Sequence, residues 1–310
     1  MVKSDMAANK NRPLSTIIAD SARKIKGPAR RTVRVIDEAE ARTAARQAGT
    51  GLRQAYLTAL RAGIWPTRYV RNAASLSAEE QMKLGESGVA VIGAGGLGAT
   101  VLMLLARMGI GRLTIVDPDI FEESNLNRQI TAVTETLGSG KAETARKMLS
   151  AVNPSVETRV CPVRLTPENA ATILSGVNLA VDALDNRPSR LILATACAQA
   201  DLPLVHAAVA GFEGQVITIF PGDGGLDLIY GPDHPESDAE SSSEPAREAS
   251  PEDALGITAV TPAIMGGLEA METIKILLNR GRILNNRMLY VDLENAGFQE
   301  FSLKDDPDKA

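Results

Sequence analysis

Gly88-Val89-Ala90-Val91-Ile92-Gly93-Ala94-Gly95-Gly96-Leu97-Gly98 reads as an apolar run that enters a glycine turn and leaves it as a helix. An unbroken run of β-branched and small apolar residues suits a strand buried on both faces, as in a parallel sheet. The glycines at 93, 95 and 98 have the spacing G-x-G-x-x-G. In that pattern the first permits the tight turn, the second lets backbone approach a phosphate, and the third lets the helix pack closely. The amides of the helix's first turn would supply the anion site. Asp117, at the end of the next apolar run, stands where a carboxylate binds ribose hydroxyls in such folds. Taken alone, the turn and Asp117 favour a dinucleotide such as NAD.

Outward from this turn the chain alternates. Val89 to Ile92, Leu113 to Val116, Glu157 to Val163 and Asn178 to Ala183 are β-rich, with helical stretches at Leu97 to Met108, Lys141 to Ala151, Pro167 to Leu174 and Pro188 to Ala200. Leu204 to Val209 continues the series, and Gln215 to Phe220, Met288 to Leu293 and Phe298 to Leu303 suggest later antiparallel strands. Thr261 to Leu278 is a long helix with small residues near its start. The pattern predicts an α/β fold, Rossmann-like and doubly wound, with a mainly parallel sheet and an added antiparallel part. On the amino-terminal side, residues 1–32 are polar and basic without sustained periodicity and are expected to be flexible. Val33 to Arg61 has helical spacing broken at Gly49-Thr50-Gly51, which predicts two short helices, and Ser77-Ala78-Glu79-Glu80 reads as a capped helix start. Residues 1–66 are thus read as a basic, partly disordered and helical extension, and 67–310 as the main domain.

At 310 residues, 44% hydrophobic and 23% charged, the chain suffices for one large α/β domain with appendages. The longest apolar stretch, Leu97 to Ile110, is interrupted by Arg107, and the amino terminus has no signal-peptide core, so a cytoplasmic protein without a membrane span is expected. Two cysteines, Cys161 and Cys197, exclude a disulfide framework and a four-cysteine zinc site within one chain. The net charge of −5 conceals an asymmetry, since residues 1–62 hold 13 basic against 5 acidic side chains. A solvated extension is the favoured reading of that basic arm and nucleic-acid contact the less favoured one. Asp233 to Asp253 holds eight acidic residues and one Arg, too polar to order itself, and is expected to be a mobile loop.

Three features turn the nucleotide reading away from NAD. Ser124-Asn125-Leu126-Asn127-Arg128-Gln129 follows soon after Asp117, Lys141 opens the next helix, and Asp182-Ala183-Leu184-Asp185-Asn186-Arg187 leaves a buried strand at the sheet edge where ligands collect. Fixed Arg and Lys groups stabilise charge building on a triphosphate leaving group. An Asp at the strand end can hold magnesium, which takes one or two carboxylates together with phosphates and waters. The competing role for Asp185 is to cap the helix near Pro188.

The glycine motif, Asp117, Asn125-Leu126-Asn127-Arg128-Gln129, Lys141 and Asp182-x-x-Asp185-Asn186, in this order and spacing, resemble the ThiF/MoeB/HesA family of the ubiquitin-activating-enzyme superfamily. The likeness spans roughly residues 67 to 303 and takes in Arg68-Tyr69-Val70-Arg71 and Gly211-Phe212-Glu213-Gly214-Gln215. It implies ATP- and magnesium-dependent adenylylation of the C-terminal carboxylate of a small ubiquitin-like sulfur carrier ending in Gly-Gly. By the same resemblance Gly93, Gly95 and Gly96 lie against the phosphates and Asp117 binds ribose. Ser124, Asn125, Arg128, Gln129 and Lys141 surround the triphosphate, Asp185 holds the metal with Asn186 beside it, and Arg71 reaches the outer phosphates from the partner of a homodimer. Arg71, Arg128, Lys141 and Asp185 are therefore the expected catalytic group.

The chain also departs from the pattern. Leu228-Ile229-Tyr230-Gly231 stands where many relatives carry a first Cys-x-x-Cys pair, so no structural zinc is expected. The 233–253 segment, which matches the crossover loop, offers no cysteine, and Cys161 and Cys197 read as buried fillers, leaving sulfur delivery to a separate donor. His206 and His234 have no partner at catalytic spacing. Adenylation of a tRNA base or a peptide, a nucleotide-binding protein without turnover, and an NAD oxidoreductase are the alternatives.

Overall fold

A computed structural model describes residues 12–230 and 254–303, in two compact units. The first comprises the chain up to Gly88 with the segments 105–113 and 149–158, and the second holds the rest. The expected acidic loop at 233–253 and His234 lie outside the described residues.

The first unit corrects the expectation for residues 1–32, of which the first eleven lie outside the described residues. Helix α1 (Leu14–Ser21) and strands β1 (Arg23–Lys26), β2 (Thr32–Ile36) and β3 (Ile64–Pro66) form there, the strands making a sheet of order β1-β2-β3. These pieces are too short to show a period in sequence, and they order because Ile17, Ile18, Val35 and Ile36 are buried in a common core. Helices α2 (Glu38–Gln47) and α3 (Leu52–Arg61) flank the predicted glycine break and fill that core with Ala41, Ala45, Tyr56 and Leu60. Helix α4 (Ala78–Glu86) starts at Ser77, whose hydroxyl accepts from the Glu80 amide at 3.0 Å while the Glu80 carboxylate accepts from the Ser77 amide at 2.7 Å.

The main sheet has eight strands in the order β11-β10-β9-β8-β7-β4-β5-β6. They are β4 (Gly88–Ile92), β5 (Arg112–Val116), β6 (Glu157–Cys161), β7 (Leu179–Asp182), β8 (Leu204–Ala210), β9 (Glu213–Ile219), β10 (Arg287–Asp292) and β11 (Gly297–Ser302). β7 runs parallel to both β4 and β8, whereas β8, β9, β10 and β11 pair antiparallel in succession. Every residue of β4 and β7 is buried, which is why Gly88 to Ile92 and Leu179 to Val181 read as unbroken apolar runs, with Asp182 ending β7. The helices after the strands are α5 (Gly96–Met108), α6 (Lys141–Val152), α7 (Pro167–Leu174) and α8 (Arg187–Gln199). They are followed by the one-turn α9 (Asp227–Tyr230) and by α10 (Val260–Leu278), which packs on β7, β8 and β9. No helix among the described residues is long and apolar enough to cross a membrane.

The chain leaves β4 toward β5 and β6, then returns to place β7 on the other flank of β4. This reversal makes the carboxyl end of β4 a topological switch point, where open α/β sheets bind ligands.

Candidate active site

A cleft opens where β4 ends, lined by the glycine turn, Asp117, Arg128, Gln129, Lys141 and Asp185. The turn is held by close packing. Gly93 has φ +102°, and a Cβ there would lie 2.4 Å from the Ala183 carbonyl oxygen; at Gly98 it would lie 1.9 Å from the Gly93 carbonyl oxygen. Gly95 differs, since an added Cβ would meet only the Gln129 side chain at 3.6 Å and would otherwise fill the cleft. An open backbone cradle at the amino terminus of α5 fits a phosphate.

Asp117 is buried, and its two carboxylate oxygens accept from the amides of Ala94 (2.7 Å) and Asp119 (2.8 Å). Burial pushes its pKa above the usual carboxylate range, opposed by those two amides and by Lys141. Each oxygen keeps a lone pair, so ribose hydroxyls can still be bound. Gln129 is buried beside Gly95 with its amide oxygen unpartnered. An unmet buried polar atom facing a cleft is what a polar ligand would complete.

The cations converge on the same space. Arg128 Nη1 donates to the Ser124 carbonyl and to Asn127 Oδ1, both at 2.9 Å, which orients the guanidinium. Lys141 is 8% exposed and its Nζ lies 3.1 Å from Asp119 Oδ2. Arg164, after β6, also lines the cleft. Sequence reasoning missed it, because the β-rich run was carried through Val163 and nothing local marks the next residue as facing a ligand.

Ser124 and Asn125 do not line the cleft. Asn125 Oδ1 accepts from the Glu122 amide at 3.1 Å and closes the turn that carries Arg128, while Ser124 contributes the carbonyl that holds Arg128. Arg71 belongs to the first unit and is likewise absent from the lining.

The competing roles at the end of β7 are resolved by geometry. Asn186, not Asp185, caps α8, its Oδ1 accepting from the Ser189 amide at 3.0 Å. Asp185 remains exposed in the cleft, with Oδ1 accepting from Asn186 Nδ2 at 3.1 Å. No cluster of three metal-ligating residues occurs among the described residues. The Asp185 carboxylate beside a phosphate cradle fits magnesium, which takes one or two carboxylates and is completed by phosphate oxygens and water.

His206 has a partner after all. β7 and β8 pair in parallel with Asp182 opposite His206, so residues 24 apart in sequence become neighbours, and His206 Nδ1 lies 2.8 Å from Asp182 Oδ2. Tyr230 Oη lies 3.2 Å from His206 Nε2 and accepts from Arg190 Nη1 at 2.7 Å. The His206 ring thus bridges Asp182 through Nδ1 and Tyr230 through Nε2. Arg190 also donates to the Leu184 carbonyl from Nη2 (2.6 Å) and Nε (3.1 Å), and the Leu184 amide donates to Asp182 Oδ1 at 3.0 Å. This closed ring of hydrogen bonds clamps Leu184 from both sides and fixes the loop that carries Asp185.

Cys197 is buried, and burial pushes its thiol up to about 12. Cys161 is only half-buried, which corrects the expectation that both cysteines are core fillers.

A glycine turn at a switch point, an acidic residue ending the second strand and convergent Arg and Lys groups define a nucleotide-binding α/β protein built for a phosphate-rich ligand. The chain belongs to the ThiF family, whose sequence model matches residues 69–310. It is 38% identical over 231 residues to the sulfur carrier protein adenylyltransferase of Thermus thermophilus, covering 74% of this chain and 83% of that protein. To the SAMP-activating enzyme E1 of Haloferax volcanii it is 35% identical over 230 residues, covering 74% and 82%. The fold resembles that of E. coli MccB crystallised with ATP, at a TM-score of 0.64 and 20% identity over 78% of this chain and 73% of that one.

Proposed function

We infer that the chain adenylylates the C-terminal carboxylate of a small ubiquitin-like sulfur-carrier protein ending in Gly-Gly, in the cytoplasm. A carboxylate oxygen bonds to the α-phosphorus of ATP as the bond from that phosphorus to the bridging oxygen of the β-phosphate breaks, giving acyl-adenylate and pyrophosphate. The attacking carboxylate is already ionised at neutral pH, so no general base is required. Catalysis then rests on alignment and on charge stabilisation of the leaving pyrophosphate.

The observation that carries this reading is the convergence of Arg128, Lys141 and Asp185 on one open glycine cradle. Gly93, Gly95 and Gly96 with the start of α5 receive phosphate, Asp117 receives ribose, and Arg128 and Lys141 face charge developing on the leaving group. Ser124 and Asn125 serve by holding the Arg128 turn, Gln129 completes its hydrogen bonding with the nucleotide, and Asn186 steadies Asp185. Magnesium, when held by Asp185, would neutralise phosphate oxygens. The relatives' names, a carrier adenylyltransferase and an activating enzyme, support the same chemistry.

Arg71 acts on the outer phosphates in the partner site of a homodimer. Exposed apolar side chains at Ile120, Leu126, Ile130, Val133 and Leu137, all within one segment, are in keeping with such an interface. Sulfur comes from a separate donor protein.

The test is carrier-dependent exchange of labelled pyrophosphate into ATP. Exchange is expected with a cognate Gly-Gly carrier and is expected to be lost in Asp185→Ala and Arg128→Ala. Full exchange in both variants would refute the assignment of these residues, and no exchange with any cognate carrier would refute the activity.

A further inference from the structure

The amino-terminal unit does more than pack. Residues 12–66 lie outside the family match, which starts at residue 69, yet they surround the Arg68-Tyr69-Val70-Arg71 motif at its edge. That motif sits in an eight-residue 3-10 helix, Thr67–Ala74. Runs of this helix beyond three or four residues are uncommon because its hydrogen bonds are poorly aligned, so one of this length needs support from elsewhere.

The support comes residue by residue. β2 and β3 pair in parallel with Ile36 opposite Pro66, which delivers Asp37-Glu38 and Thr67-Arg68 side by side at the same end of the small sheet. Thr67 Oγ1 lies 2.5 Å from Asp37 Oδ1, and Asp37 is itself held by Arg23 at 2.6 Å. Arg68 forms an ion pair with Glu38, donates to the Val152 carbonyl at 2.8 Å and to Tyr56 Oη at 3.3 Å. Tyr69 is 4% exposed in the core that the amino-terminal helices build, and its Oη accepts from Asn153 Nδ2 at 2.7 Å. Val70 and Ala73 pack on the same core, and Asn72 Nδ2 donates to Gln81 Oε1 at 2.9 Å. Among the described residues Arg71 alone of positions 67–72 is exposed with neither a packed nor a hydrogen-bonded side chain.

We propose that the amino-terminal unit is a brace that stiffens this turn so that the free guanidinium of Arg71 is held ready for nucleotide phosphate, with Glu38 and Thr67 as positioning residues. The proposal rests on the reading of Arg71 as a phosphate-binding group. A guanidinium on a loose turn must be ordered on binding, and apparent affinity falls in proportion to the fraction of chains in the competent conformation.

The experiment is a double-mutant cycle in the full-length protein, read as the KM for ATP in carrier-dependent pyrophosphate exchange. Glu38→Gln and Thr67→Val are each expected to raise KM by about fivefold to tenfold with little change in kcat, as for a competent fraction reduced to about a fifth to a tenth. In an Arg71→Ala background the same substitutions are expected to add nothing, because their effect passes through Arg71. Hydrogen exchange over residues 67–74 should rise in Glu38→Gln, which checks the loosening without relying on activity. A KM effect that persists undiminished on Arg71→Ala overturns the brace, as does unchanged KM in Glu38→Gln and Thr67→Val while Arg71→Ala is impaired. Wild-type exchange by Arg71→Ala alone refutes the underlying role of Arg71, and the brace falls with it. Loss of exchange in Arg128→Ala together with an unaffected Arg71→Ala would leave the adenylylation reading standing.

Discussion

The glycine turn separates packing from binding at single-atom resolution, and two alanine substitutions should split the two. At Gly98 the new Cβ would lie 1.9 Å from the Gly93 carbonyl oxygen and 3.1 Å from Ala183 Cβ. Contacts closer than 3.0 Å are essentially never seen for real Cβ atoms, so α5 must move from the end of β4 by about 1.1 Å, the difference between 3.0 and 1.9. The obstacle is the Gly93 backbone, with the rotamer-free Ala183 methyl behind it, and neither can swing away, which puts the cost at the upper end for overpacking, about 3 kcal/mol. For a domain of this size that is a fall in Tm of about 6 to 12 °C. At Gly95 the nearest neighbour of the new Cβ is the Gln129 side chain at 3.6 Å, an ordinary contact, and the backbone is outside the left-handed region. Gly95→Ala should therefore leave stability unchanged or raise it by up to about 1 kcal/mol through the unfolded chain. Its methyl group stands in the phosphate cradle, and ATP affinity should fall more than about tenfold, or ~1.4 kcal/mol. Thermal melts without nucleotide and titration calorimetry with ATP read the two effects apart. Gly98→Ala melting with the wild type, or Gly95→Ala binding ATP with undiminished affinity, would refute the reasoning.

Arg190→Met removes the donors that hold the Leu184 carbonyl and Tyr230, and is expected to cost about 2 to 3 kcal/mol in denaturant unfolding. It should also weaken exchange through the displaced Asp185 loop, and an equally stable variant would show the ring to be incidental. Glu269, buried on α10, is held well above the ordinary carboxyl range mainly by burial, with Asp182 adding and Arg190 and the Ala207 amide opposing. A buried acid with a raised folded value is destabilising once pH exceeds the unfolded value of 4.5, because the unfolded chain releases the proton first. The Tm advantage of Glu269→Gln over the wild type should then grow as pH rises above 4.5, and a pH-independent difference would contradict this. With its thiol pushed up to about 12, Cys197 should resist alkylation at pH 8 until the protein unfolds, whereas half-buried Cys161 reacts first. Simultaneous labelling in the native state, read by mass spectrometry, would count against the burial of Cys197.

Most of the main sheet was legible because its strands declare themselves. Val89 to Ile92 and Leu179 to Val181 are apolar throughout, since both faces are covered. Residues 14–36 were not legible, because α1 and the β1–β2 hairpin have too few residues to show a period and owe their order to packing around Ile18 and Val35. At the site, the glycines, Asp117, Arg128, Lys141 and Asp185 were readable from order and spacing, and the cleft brings them together. The Asp182–His206 pair was not, because it follows from strand register rather than from either residue's neighbours. Nor could the sequence assign helix capping to Asn186 rather than Asp185, since both are good caps and only the backbone path decides between them. The brace around Arg68 escaped for the same reason as the strands that carry it.

The most direct test follows the α-phosphate. With ATP labelled at that position, a cognate Gly-Gly carrier and magnesium, the account predicts label on the carrier's C-terminal carboxylate as adenylate, with unlabelled pyrophosphate released in equal amount. Label recovered only in ADP, with the carrier unmodified, would contradict it.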